Sequence, residues 1–200
     1  MQPNIPDLSA LCATYVHARR LTPEPKSIVV LHLGDDESIL AWGNENQPSQ
    51  YLSLQLGLSE IANRLMSNGH LSELAMEQII AEVEDIVMPL HAQLPASAKL
   101  FSEDVMLANL AYWADMADMA DKTMPWPLGI DAVELLFNRV AALAQGRPAS
   151  QDNLPTTGRF SAALLVLREW LHHLHFDGVT ILDIRTPDTE MQAKPEHSRS

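Results

Sequence analysis

Two apolar runs, SIVVLHL at 27–33 and SILAWG at 38–43, are separated by only four residues, GDDE, and this spacing does most to limit the folds open to the chain. So short a connection predicts an antiparallel hairpin with Gly34 and Asp35 in the turn. The next run, YLSLQLG, is less one-sided. Leu52, Leu54 and Leu56 alternate with Ser53 and Gln55 before Gly57 interrupts, which predicts a third strand and a helix beginning near Ser59. Leu54, Leu58, Ile61 and Leu65 also fall at helical spacing, so a single helix from Tyr51 onward fits the same residues.

Helical periodicity surrounds this block. Leu8, Leu11, Cys12, Val16 and Ala18 predict a first helix over 6–20, stopped by Pro23 and Pro25. Asn68 and Gly69 read as a helix stop, and Ser72 as the cap of a helix with Ile79, Ile80, Val83, Val87 and Leu90 on its apolar side. AKLFS at 98–102 predicts a strand, followed by a helix through EDVMLANLAYWADM. A loop at MPWP, a helix over GIDAVELLFNRVAALAQG, a mobile connection at RPASQDNLPTTG, a helix over 159–175 and a last strand at VTILDI complete the pattern.

The fold class expected is α+β, or mixed α/β: an early three-stranded antiparallel meander, then helices alternating with two further strands. That order resembles ribonuclease H-like domains. The resemblance implies that strands at 98–102 and 179–184 extend the meander in parallel, whereas a helical bundle would end the analogy. It carries no activity with it, because metal-dependent enzymes of that fold need an acid in the first strand and SIVVLHL has none. Residues 1–185 are expected to form one globular domain and 186–200, which lack apolar content, a disordered tail.

Charge removes several function classes. The formal net charge is −13, and protonating all eight histidines leaves it negative, so the phosphate-neutralising attraction behind nucleic-acid binding is missing. The same sign opposes an anionic membrane surface, and no apolar run approaches the ~20 residues that span a bilayer. MQPNIPDLSALCATYVHARR lacks a positive segment ahead of its apolar stretch, so it does not resemble a secretory signal and a cytoplasmic location is expected. One cysteine, Cys12, excludes a disulfide framework and a thiolate zinc site.

Three clusters carry candidate chemistry. Glu169 precedes His172 by three residues and His173 by four, so a carboxylate and an imidazole could share a helix face and hold a divalent metal, with Asp177 or Asp183 as a further ligand or base. The competing reading makes HHLH the polar end of a helix whose buried stripe is Leu164, Leu167, Leu171 and Leu174. Asp115, Asp118 and Asp121 in ADMADMADK step by three and fan around a helix, which suits a solvated face better than a magnesium site. Trp113, Trp126 and Phe137 form an aromatic group suited to core packing or to a ligand or partner surface.

Phosphate loops, dinucleotide fingerprints, the nucleophile elbow and the His-Glu-x-x-His zinc motif are all missing from the sequence. The expectation is therefore a non-catalytic cytoplasmic binding or interaction domain. Its partner would be a protein or small ligand at Trp113, Trp126 and Phe137, with self-association into a homo-oligomer compatible and nucleic acid and membrane excluded. The alternative is a metal-dependent hydrolase built on Glu169, His172, His173 and Asp177.

Overall fold

A computed structural model describes residues 8–22, 26–114 and 123–183. The segment at 186–200 and the aspartates at 115, 118 and 121 lie outside them. β1 (Ile28–Leu33), β2 (Ser38–Gly43) and β3 (Gln50–Leu54) form the expected meander, with Ile28 opposite Gly43 and Ser38 opposite Leu54. Pairing of 50–54 with β2 rules out one helix from Tyr51, and α2 (Leu58–Leu65) starts directly after Gly57.

α3 (Glu73–Val87) begins at Ser72, whose hydroxyl accepts the Ala75 amide at 3.3 Å. β6 (Lys99–Ser102) then lies parallel to β1, and β8 (Gly178–Ile181) parallel to β6. α4 (Val105–Ala114), β7 (Trp126–Gly129), α5 (Ile130–Ala144) and α6 (Gly158–His173) separate those two strands. The sheet order is β3-β2-β1-β6-β8-β7, a mixed α/β sheet with the ribonuclease H-like arrangement expected from the sequence.

Some local expectations fail for identifiable reasons. Asn68 and Gly69 do not stop a helix; both have positive φ and turn a small hairpin between β4 (Met66–Ser67) and β5 (His70–Leu71). The MPWP segment is not all loop, because Trp126–Gly129 pairs antiparallel with β8 as an edge strand, where a proline is tolerated. The connection at 147–157 is anchored: Asp152 accepts Arg139 Nε at 2.9 Å and Leu154 is buried.

The largest departure is α6. From Phe160 to Leu171 its residues are buried except for the half-buried Arg168, so it is not a one-sided helix. A helix apolar all round belongs inside, and α2, α3, α4 and α5 surround this one on one face of the sheet. Glycine lets α6 approach: a Cβ on Gly158 would sit 2.5 Å from the Ala62 carbonyl oxygen of α2. Gly158→Ala is accordingly expected to cost about 1–3 kcal/mol, read as a lower urea midpoint with unchanged slope.

The opposite face of the sheet carries α1 (Leu8–Leu21), whose Leu11, Tyr15 and Ala18 pack with Val30, Ile39 and Phe101. Arg19 is buried beneath it with its charge met by oxygens, donating to Lys26 O at 2.8 Å and Glu45 O at 3.1 Å. Cys12 lies there, 3.2 Å from the Tyr51 hydroxyl, and burial together with that contact pushes the Tyr51 phenol up to about 12. No helix among the described residues is long and apolar enough to cross a membrane.

Candidate active site

Parallel strands of an open α/β sheet present their carboxyl ends at one rim, and ligands of such sheets bind there. In this protein the rim is formed where β1 and β6 run side by side. Along β1 the side chains alternate. Val29, Leu31 and Leu33 join the core around α6, and Ile28 and Val30 join the core under α1, so His32 falls on the α1 side just as the strand ends.

Asp104, two residues beyond the end of β6 and directly before α4, meets it there. His32 Nδ1 lies 2.8 Å from Asp104 Oδ1, with the imidazole side chain 35% exposed and the carboxylate 11%. The Leu33 amide donates to Asp104 Oδ2 at 2.8 Å, and the Asp104 amide donates to Ser102 Oγ at 3.1 Å, while that hydroxyl reaches the Leu31 carbonyl at 2.8 Å. Backbone therefore fixes the carboxylate. In the neutral imidazole this contact favours the proton on Nδ1, which leaves the basic lone pair on Nε2.

Neighbouring Glu103 turns towards α1, where it accepts Thr14 Oγ1 at 3.0 Å and contacts His17 Nδ1 at 2.8 Å. Thr14, His32, Glu103 and Asp104 line a cavity of ≈ 260 Å³ floored by Leu11 and Val30. That is room for water and one small polar group, walled on one side by apolar residues.

The β1–β2 turn, Gly34 to Glu37, rises from the same rim. Asp35 Oδ1 pairs with Arg159 at the start of α6 and accepts Ser59 Oγ at 2.9 Å. Those hydrogen bonds, the Arg159 one foremost, hold the Asp35 carboxyl below its ordinary value, and the His32 charge adds slightly. Its folded pKa is depressed, so any stability from this exposed link is present at neutral pH and is lost as pH falls through that lowered value.

Sequence reasoning missed His32 and Asp104. Seventy-two positions separate them, and only the parallel pairing of β1 with β6 brings them together. A usable signal existed: His32 is the one polar residue inside IVVLHL, and an acid follows AKLFS, so both stand at strand ends.

The residues singled out from sequence lie elsewhere. Glu169 and His173 meet at 3.2 Å, but Glu169 is 2% exposed and its other oxygen is held by Arg168 at 2.5 Å. His172 turns away to Glu134, and Asp177 is exposed beyond the helix end. Among the described residues no three His, Cys, Asp or Glu side chains converge as a metal centre requires. α6 also carries His173 about 20 Å from Arg159 and the rim. Trp113, Trp126 and Phe137 pack half-buried against the main core, with the Arg168 guanidinium 4.5 Å above the Phe137 ring.

No family model and no curated protein matches the sequence. Solved structures do resemble the fold. A type II variant of the Aquifex aeolicus Ppx/GppA phosphatase aligns over 86% of this chain and 58% of its own at 12% identity, with a TM-score of 0.68. An exopolyphosphatase from Cytophaga hutchinsonii aligns over 88% and 58% at 13% identity and TM-score 0.66, and an exopolyphosphatase-like protein over 90% and 63% at 12% and 0.68. The chain spans less than two thirds of the length of each.

These neighbours correct the expectation of a non-catalytic, protein-binding domain, since solved structures that share its architecture include a phosphatase and an exopolyphosphatase. The activity named for those neighbours is nearer to the hydrolase alternative than to the binding reading. At such low identity the likeness establishes the fold, and the chemistry must come from this chain's own residues.

Proposed function

We propose that this chain is one lobe of a phosphohydrolase, acting on a phosphoanhydride or phosphoester, with His32 as general base and Asp104 as the group that orients it. The observation carrying this reading is the 2.8 Å contact between His32 Nδ1 and Asp104 Oδ1 at the joined carboxyl ends of β1 and β6. It lies on the fold of phosphatases, at the rim where such sheets bind ligands.

In the reaction, His32 Nε2 takes a proton from water as the water oxygen bonds to phosphorus. The bond from phosphorus to the bridging oxygen breaks, and that oxygen leaves on the product. The imidazolium then formed is stabilised by Asp104, whose own proton count does not change. The neighbours are longer than this chain, so a second lobe covering the rim and excluding water belongs to this reading.

A divalent cation bound with the substrate would supply charge neutralisation on the phosphoryl oxygens. The described residues offer no three-ligand centre, but magnesium commonly takes one or two carboxylates and completes its shell with substrate phosphates and water. Such a cation would also offset the acidity of the GDDE turn towards an anionic substrate. The single cysteine fits a reducing, cytoplasmic setting.

The test is phosphate release from linear polyphosphate, pyrophosphate and p-nitrophenyl phosphate in the presence of magnesium, comparing the natural chain with His32→Ala. Release by the natural chain that the variant loses supports the reading. Equal rates for the two, or no release from any of the three substrates, would overturn it.

A further inference from the structure

Arg159 occupies the first turn of α6, and no acidic side chain accompanies it there. That placement is unfavourable by itself, because the helix dipole already gathers positive charge at this end. A cation here calls for an anion against it. The anion present is the Asp35 carboxylate, gripped by the Arg159 guanidinium and, at 2.9 Å, by the Ser59 hydroxyl from the first turn of α2.

The frame around that carboxylate is tightly built. The Leu58 amide donates to Gly34 O at 3.0 Å and the Ser59 amide to Asp35 O at 3.1 Å, which seats the start of α2 on the turn. Gly57 makes the approach feasible, since a Cβ there would lie 2.5 Å from Asp35 O. Gly158, packed on Ala62 of α2, fixes Arg159 relative to Ser59. The backbone at Ser59 and Arg159 is thus closely placed beside the turn, and the paired Arg159 and Asp35 side chains both reach solvent.

An exposed ion pair contributes little to folding, so stability is a poor account of this construction. A phosphoryl group would satisfy it better. It brings more acceptor oxygens and up to a second negative charge, and guanidinium takes such groups in bidentate fashion.

We propose that Arg159 and Ser59 form a phosphoryl-binding subsite, and that Asp35 occupies it as an internal stand-in which an incoming phosphoryl group displaces. The inference rests on the hydrolase reading for its purpose and deepens it, adding a binding position for the substrate phosphate and a contact that keeps that position closed. Its test needs no turnover.

Binding of inorganic phosphate is measured by titration calorimetry at low ionic strength without divalent cations. The proteins are the natural chain, Asp35→Ala, Asp36→Ala and the double variant Asp35→Ala with Arg159→Gln. Removing the stand-in is expected to tighten phosphate binding about tenfold or more, whereas Asp36→Ala, an equal change in charge without the Arg159 contact, shifts it by about threefold or less. The double variant loses the gain. The inference is overturned if the two aspartate variants improve equally, if the gain survives Arg159→Gln, or if Asp35→Ala binds no phosphate. Tight binding by Asp35→Ala alongside unchanged hydrolysis in His32→Ala would sink the base assignment and leave the subsite standing.

Discussion

Asp104→Asn is expected to lower phosphate release by about 10²- to 10⁴-fold, the range a positioned general base contributes, while leaving the fold nearly intact. The asymmetry comes from what each oxygen does. Oδ2 accepts the Leu33 amide at 2.8 Å, so the substituted amide must keep its oxygen on that side, because the reverse orientation sets NH₂ against N–H. The NH₂ group then faces His32 Nδ1 and forces that nitrogen to accept. The imidazole proton moves to Nε2, and the lone pair that should take the water proton is gone. Thermal melting should move little, with a cost of about 1 kcal/mol, because the backbone hydrogen bond survives. An Asp104→Asn variant that remains as active as the natural chain would remove Asp104 from the chemistry. One that fails to fold would show that the carboxylate is chiefly structural.

Trp170→Ala is expected to have the largest effect on stability, about 3–5 kcal/mol, the usual cost of emptying a buried tryptophan site. Trp170 is fully buried on α6, the helix around which α2, α3, α4 and α5 pack, so no neighbour can collapse far into the vacated space. Among the described residues its indole Nε1 meets no hydrogen-bond partner, which makes a second substitution informative. Trp170→Phe gives up some volume but also relieves a buried donor of its unmet bond, and the net change is expected to stay within about 1 kcal/mol of the natural chain. Urea unfolding of the two variants measures both. Similar losses for alanine and phenylalanine would mean that the indole nitrogen is satisfied in solution, by water or by motion.

The meander was legible because its information is local. The GDDE spacing dictates the hairpin, and the alternation of Leu52 and Leu54 dictates the third strand. Parallel additions were legible only as an ordering, since nothing in KLFS or GVTI encodes which edge it joins; β1 accepts β6 because the meander leaves that edge open. Trp126–Gly129 was hidden by its proline, which as a local signal argues against a strand and is overruled by pairing with β8. The burial of Glu169 was hidden because a carboxylate reads as exposed, and only Arg168 and His173 make its position tolerable. His32 and Asp104 show the same limit for chemistry: each is ordinary in its own segment, and the pair exists only once two strands lie side by side.

The proline that obscured β7 also changes the hydrogen-bonding edge that the sheet presents. An edge strand exposes a row of amides and carbonyls onto which a foreign strand can add, and Pro127, sitting opposite Thr180, removes a donor from the middle of that short row. At the far edge, β3 runs from Gln50 to Leu54 without any such interruption. Templated stacking, the first step of strand-mediated aggregation, is therefore blunted on one flank of the molecule and left to the five residues of the other.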